Sequence, residues 1–378
     1  MKDYNIIVIG CGAMGSSVAY HAAKGGMKAL VIEQFSLNHE KGSSHGKTRM
    51  FRTVYPEGYF YVPMVKRAMG LWRKLEKESG MNLIMKTGYV VIGRPSGGLV
   101  RDAVACAKRE GLTYRVLGSK EARERFPAFS LSDDEVAVYD PNAGIMFPEE
   151  CIRANVMVAR RLGAEFRFNE KVLGWKEHSG RISVITEKGE YTAKKLVIAA
   201  GSWNAKLARS LPISPRRVAV FWFKDDSDNH IFSSGKMVPF IWETGPKSNF
   251  YGIPNLEGSG DGLKLGIHSG GPRAHGGLHS STAELKRKEL RNLIRLAKNR
   301  LSPRSERPSK SSTCIYTYTP DKNFIIDFYP GRRDVVVLSP CSGHGFKFSS
   351  VIGEITIKML NGKAVPYMMK KFSMSRFR

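Results

Sequence analysis

Tyr4-Asn5-Ile6-Ile7-Val8-Ile9-Gly10-Cys11-Gly12-Ala13-Met14-Gly15, with Glu33 closing the next apolar run, decides how this chain folds. Consecutive apolar residues suit a parallel strand covered on both faces, and glycines directly after it let the backbone turn sharply and come close to a pyrophosphate. The pattern predicts a helix from Ala13 to about Gly25 and a second strand from Ala29 to Ile32. The N–H groups at the helix start would hold phosphate. Gly10, Gly12 and Gly15 form the turn, and Glu33 is placed to accept hydrogen bonds from an unphosphorylated adenosine ribose. Whether that adenosine belongs to NAD or FAD stays open at this point.

At 378 residues the chain has room for two domains and a large core. No stretch is apolar enough over its length to span a bilayer, and the first strand begins too early for a signal peptide, so a cytoplasmic location is expected. Cys11, Cys106, Cys151, Cys314 and Cys341 are odd in number, scattered and free of any C-x-x-C pair, which argues against a disulfide framework or a zinc site. The net charge of +26 is the strongest bulk feature. Its densest cluster, Lys286 to Arg307, is preceded by Glu284 and contains Glu289 and Glu306, as a solvated helix face would be. Neither nucleic acid nor membrane is expected as a partner.

Further along, Lys41-Gly-Ser-Ser-His-Gly-Lys-Thr-Arg49 and Arg52 combine small residues, which allow close backbone approach to a ligand, with basic ones suited to phosphate or carboxylate. Helical spacing of apolar residues marks Tyr61–Gly80. From Met85 short strands alternate with helices at Gly98–Glu110 and Ser119–Phe126; Pro148–Leu162 is a helix, and Glu165–Thr186 reads as a pair of strands. Lys195-Leu-Val-Ile-Ala-Ala-Gly201 is a second buried strand ending in small residues, so the chain returns to its first domain there. Between Pro215 and Thr282 aromatic and alternating residues predict antiparallel sheet. A basic helix over Ala283–Leu301, two strands near Asn323–Phe328 and Asp334–Leu338, and a last helix to about Leu360 complete the reading.

Three late motifs narrow the function: Cys314-Ile-Tyr-Thr-Tyr-Thr-Pro-Asp321, Leu263-Lys264-Leu-Gly-Ile-His268 and Gly343-His-Gly-Phe-Lys347-Phe-Ser-Ser350. With Ser44-His45-Gly-Lys-Thr-Arg49 and Arg52, they resemble the monomeric sarcosine oxidase and N-methyltryptophan oxidase family of flavoproteins, in the family's order and over essentially the whole chain. The resemblance implies FAD rather than NAD, with a thioether from Cys314 to the flavin 8-methyl carbon. It implies that Lys264 lies beside flavin N5 and promotes reaction with O2, and that His268 touches the substrate side of the ring. Arg52 and Lys347 would grip a substrate carboxylate between Tyr251 and Tyr316. His45 and Arg49 would lie on the opposite flavin face, and the Gly343–Gly345 turn would face the pyrimidine edge. Ser44 belongs to the same cofactor-binding motif.

The expected fold class is mixed α/β: a Rossmann-like FAD-binding domain (1–84, 146–216 and 309–378) interleaved with an antiparallel-sheet substrate domain (85–145 and 217–308). The implied reaction is oxidation of a small secondary amino acid, with sarcosine, L-proline and L-pipecolate as candidates, to an imine, with O2 reduced to H2O2. No metal is needed, and a monomer is expected. Two other readings stay open. One is an FAD-dependent dehydrogenase with a different electron acceptor. The other is a flavoprotein that modifies RNA, which the charge would suit although no basic-aromatic stripe supports it. The resemblance thins over Asn229–Glu257 and over Ser269–Ser281, where His275 and His279 fit no motif, and Lys47 and Met50 are positions of expected variation. The substrate is therefore less defined than the chemistry.

Overall fold

In the computed structural model, which describes residues 3–178, 180–208, 211–224, 230–246, 248–256, 260–268, 270–274, 283–301 and 306–377, Asp3–Ile9 is a strand lying parallel to Ala29–Ile32 on one side and to Gly189–Ile198 on the other. Its alternate residues serve two cores. Ile6 and Val8 pack with the helix Ala13–Lys24, while Ile7 and Ile9 pack beneath the opposite face. That division explains why the run is continuously apolar rather than alternating.

The first sheet runs in the order Val172–His178, Arg181–Thr186, Gly189–Ile198, Asp3–Ile9, Ala29–Ile32, Glu165–Arg167. Arg181–Thr186 ladders antiparallel only as far as Ala193, and beyond it Val335–Ser339 takes over the same edge of Gly189–Ile198 in parallel, followed by Ile325–Phe328. Ala13–Lys24 packs on this sheet against Pro148–Arg161 and Ser349–Leu360. The strands come from three stretches of chain, as a doubly wound nucleotide-binding layer interrupted by insertions requires.

Glu165–Thr186 is three strands and not the expected pair. Glu165–Arg167 joins the far edge beside Ala29–Ile32, and the chain then breaks at Asn169, whose φ of 54° is left-handed. Val172–His178 and Arg181–Thr186 form a hairpin on the opposite side of the sheet. The basic helix also ends earlier than expected, at Ala297, with Asn299 left-handed at φ 62°.

The second sheet has the order Lys310–Tyr318, Ser214–Phe223, Leu263–Ile267, Ser248–Ile253, Phe240–Gly245, Tyr89–Gly93, Val136–Asp140, Arg115–Gly118. Every pairing is antiparallel except that of Phe240–Gly245 with Tyr89–Gly93. Helix Ala283–Ala297 covers one face through Leu293, Leu296 and Ala297, over a cluster containing Phe240, Trp242 and Phe250. Edge-on and stacked contacts among those rings add about 0.5–1.5 kcal/mol per pair beyond burial. Lys310–Tyr318, which carries Cys314, ladders with Ser214–Phe223 in this sheet. A small third sheet, Arg49–Phe51 with Gly144–Met146 and Ile84–Lys86, fixes the backbone that bears Arg49 and leads to Arg52.

Candidate active site

The turn after Asp3–Ile9 is built by close approach. Gly10 has φ +97°, and a Cβ on it would sit 2.6 Å from the Ala199 carbonyl oxygen. A Cβ on Gly15 would lie 1.8 Å from the Gly10 carbonyl oxygen, so only glycine lets the helix start beneath the turn. Ser44 closes over this end, its Oγ accepting the Ala13 N–H at 3.2 Å and lying 3.2 Å from where a Gly12 Cβ would be. Glu33 is buried, and its carboxylate accepts the N–H groups of Cys11 at 2.8 Å and Phe35 at 3.0 Å.

From this turn one continuous cavity of about 1060 Å³ runs to the second sheet. Every residue given a cofactor, substrate or catalytic role in the sequence reading lines it except Gly15, which supports the turn from below.

At the far end, Lys264 sits on a strand paired on both sides, opposite Trp222 and Ile253. It is 3% exposed, and its Nζ donates to the carbonyls of Gly46 at 2.8 Å and Thr48 at 3.0 Å, 5.3 Å from the Trp222 ring centre. Burial, followed by the neighbouring Arg49 charge, pushes its pKa well below that of an ordinary lysine. The strand ends at Ile267, and His268 follows it. His268 contacts Tyr251 and Tyr316 edge-on, with centroids 6.2 and 6.0 Å away, and burial lowers its pKa to about 4, leaving a neutral imidazole at pH 7.

Arg49 braces the 43–48 loop, donating to the carbonyls of Ser43 at 2.9 Å, His45 at 2.6 Å and Thr48 at 2.8 Å. Its guanidinium also approaches Cys314 Sγ at 4.0 Å, and that sulfur lies 3.8 Å from the Ser43 carbonyl oxygen. His45 donates from Nε2 to the Gly42 carbonyl, since only the protonated nitrogen can serve that acceptor. Its Nδ1 is buried with no hydrogen-bond partner among the described residues. Burial and Arg49 lower the His45 pKa to about 4.

Arg52 is 5% exposed, donates from Nη2 to Glu57 Oε1, and lies 4.5 Å from the Tyr55 ring centre. Burial opposes its charge, but Glu57 outweighs that and holds the guanidinium above its usual range. Lys347 donates to the His344 carbonyl at 2.8 Å, and its own carbonyl accepts Trp72 Nε1 at 2.9 Å. Burial, then Arg52, drives its pKa well down. Gly343, at φ +90°, brings the turn against Tyr316, 2.8 Å from where a Cβ would be. This turn leads first into the 3₁₀ turn Phe346–Phe348 and only then into the helix Ser349–Leu360.

Several neighbours escaped the sequence reading. Glu57 lies five residues after Arg52 in an aromatic stretch with no motif of its own. His344, inside a quoted motif but given no role there, bonds through Nδ1 to Tyr55 OH at 2.6 Å and stacks on Phe324. Thr48 acts through its backbone carbonyl and Glu149 on backbone amides, which residue type does not reveal. His275 and His279 lie outside the described residues. Among the described residues no group of His, Cys, Asp and Glu is arranged to hold a metal ion, and no helix is long and apolar enough to cross a membrane.

Residues 5–359 match the family described as DAO, FAD dependent oxidoreductase. The chain belongs to this family. It is 34% identical over 367 residues to a monomeric sarcosine oxidase of Bacillus sp. (strain B-0618), covering 95% of this chain and 93% of that protein. It is 31% identical over 376 residues to an N-methyl-L-tryptophan oxidase of Yersinia pestis (strain Pestoides F), covering 100% of both. Among solved structures it shares its fold with NikD, an unusual amino acid oxidase essential for nikkomycin biosynthesis, in the open form (TM-score 0.85, 21% identity, 99% of this chain and 98% of that one). It likewise shares the fold of L-proline dehydrogenase from P. horikoshii (TM-score 0.83, 22% identity, 100% and 98%).

The protein is thus an FAD-dependent oxidoreductase, and its cavity fits the cofactor. The glycine cradle that a Cβ would fill, the start of Ala13–Lys24, whose N-cap residue Gly12 has no side chain to cover it, and the Glu33 carboxylate suit pyrophosphate and ribose. Ser44, Arg49, Cys314, Gly343, Gly345 and Lys347 line the cavity beyond them, where the remainder of an extended dinucleotide would lie.

Proposed function

We propose that this enzyme oxidises the C–N bond of a small secondary amino acid, an N-methyl compound such as sarcosine or a cyclic one such as L-proline or L-pipecolate, and passes the electrons to O2. The observation that carries this reading is the convergence of Arg52, Lys347, Lys264 and Arg49 on one buried, aromatic-walled end of the nucleotide cavity. Relatives named as sarcosine and N-methyl-L-tryptophan oxidases support the substrate class.

Bound FAD supplies the two-electron acceptor, tethered in this reading through Cys314. Arg52 and Lys347 hold the carboxylate, the first as a planar fork and the second as a point charge. Fixing one end of so small a molecule orients its N-bound C–H and converts an encounter into a unimolecular step. Neutral His268 and the Tyr251 and Tyr316 rings leave the amine free of competing charge and restrict water. The neutral amine loses two electrons and one proton, a hydride equivalent, to become an iminium ion, which water hydrolyses with release of the remaining proton, so that sarcosine, water and O2 give glycine, formaldehyde and H2O2. Lys264 holds a positive centre in a water-poor site, where it stabilises negative charge developing on oxygen.

Aerobic turnover of sarcosine, L-proline, L-pipecolate and N-methyl-L-tryptophan, with H2O2 measured against amine consumed, tests the proposal. One peroxide per amine oxidised is expected with at least one of them. Amine-dependent flavin bleaching that persists in air would instead mark a dehydrogenase.

A further inference from the structure

Lys264 has no carboxylate in ion-pair contact among the described residues, so its position depends on the two carbonyls it meets, and those belong to a turn of unusual shape. Gly46 has φ 101° and Lys47 has φ 63°. Left-handed backbone at Lys47, which carries a Cβ, persists only where surrounding contacts enforce it. Thr48 N–H closes the turn onto the Gly46 carbonyl at 2.7 Å. A Cβ at Gly46 would lie 3.4 Å from Lys264 Nζ and 3.5 Å from Arg49 Nη1, so both cations pack directly on the turn.

The enforcing contact is Glu149. Its Oε1 accepts the consecutive N–H groups of Gly46 at 2.8 Å and Lys47 at 3.1 Å. The residue stands in the first turn of Pro148–Arg161, where the helix dipole favours a carboxylate. The carboxylate thus grips the amides of a turn whose carbonyls grip Lys264. A second tie, Lys47 Nζ to Asp261 at 2.7 Å, joins the turn to the segment before the Lys264 strand, but Lys47 is 53% exposed and such a pair contributes little.

We propose that Glu149 is a positioning residue for Lys264: by fixing the 46–48 turn it aims the Gly46 and Thr48 carbonyls at the ammonium and holds that charge at the cavity wall. The inference rests on the reading of Lys264 as the group that promotes reoxidation by O2. A side chain that only stabilised its helix would lower the melting temperature and leave the two half-reactions in proportion. A positioning residue changes reoxidation selectively.

The test compares Glu149→Ala, Glu149→Gln and Lys47→Ala holoenzymes. Hydrogen–deuterium exchange reads the Gly46 and Lys47 amides, and rapid mixing reads flavin reduction by amine and reoxidation by O2 separately. In Glu149→Ala the two amides exchange at least roughly tenfold faster and reoxidation slows roughly tenfold, while reduction changes by less than about twofold. Glu149→Gln retains an acceptor and restores most of both, and Lys47→Ala behaves as wild type. Unchanged amide exchange in Glu149→Ala, or equal losses in the two half-reactions, overturns the proposal. Lys264→Met separates the two claims: if it reoxidises at the wild-type rate while Glu149→Ala still loosens the turn, the role given to Lys264 fails and the tether stands on the exchange data.

Discussion

Arg52 and Glu57 form an ion pair in which each partner keeps one buried atom unused, Nη1 on the arginine and Oε2 on the glutamate. The pair engages Nη2 of a guanidinium whose planar fork matches a carboxylate, and the guanidinium carbon lies 4.5 Å from the Tyr55 ring centre and 5.8 Å from that of Tyr89. In the proposed reading a substrate acid group takes up Nη1. Arg52→Met should therefore weaken binding of the amino acid by about 2 kcal/mol or more, roughly thirtyfold in Kd. A methyl ester of the same amine should bind the variant about as well as the wild type. Anaerobic flavin titrations with acid and ester check both statements, and an equal loss for the two ligands would remove Arg52 from carboxylate recognition.

Lys264 is held by carbonyls and an indole rather than by an acid, which leaves its charge available to the cavity. Lys264→Met should slow flavin reoxidation by roughly 10²- to 10³-fold while changing reduction by amine much less. Rapid-mixing measurements of each half-reaction decide this, equal losses being the contrary result.

The buried imidazoles set an acid limit. His45 titrates near pH 4 and His344 near pH 3 in the folded chain, against 6.5 when free, because burial disfavours their charged forms. The unfolded chain takes up protons first as pH falls below 6.5, so folding stability declines from there to about pH 4 for His45 and continues to about pH 3 for His344. Thermal unfolding midpoints measured between pH 7 and 4 should fall progressively. A flat profile would mean that neither ring is held neutral.

Gly15→Ala tests the nucleotide turn. The added methyl meets the Gly10 carbonyl oxygen at 1.8 Å, backbone against backbone, and cannot turn aside. A loss of about 1–3 kcal/mol in stability is expected, together with weaker FAD retention. Calorimetry and flavin content on purification report the two effects, and a fully flavinylated variant of wild-type stability would contradict the packing.

The strand-turn-helix opening was legible because its signals are local: Ile6 to Ile9 apolar without a break, glycines at positions 10, 12 and 15, and an acid at the end of the next strand. The Cys314, Lys264 and Lys347 motifs were legible as motifs, and the cavity lined by all three is a property of the two sheets meeting. Two three-residue strands were not legible as separate elements. Arg49–Phe51 and Glu165–Arg167 are three residues each, too few to show alternation, and their pairing depends on partners far along the chain. Glu57 and Glu149 were missed for a related reason. Each acts through one contact, with a guanidinium or with two backbone amides, and neither residue type nor spacing announces such a contact before the loops are placed.

The central claim is an FAD-dependent oxidase whose flavin is attached through Cys314 and reduced by a secondary amino acid. The most direct measurement is the absorbance spectrum of wild type and Cys314→Ala before and after denaturing precipitation, with anaerobic addition of sarcosine, L-proline and L-pipecolate to the native proteins. Flavin bands that follow the wild-type pellet, pass to the supernatant in Cys314→Ala and bleach with one of the amines are the predicted result. Flavin that stays covalently bound without Cys314, or a wild-type spectrum that none of the amines alters, would contradict it.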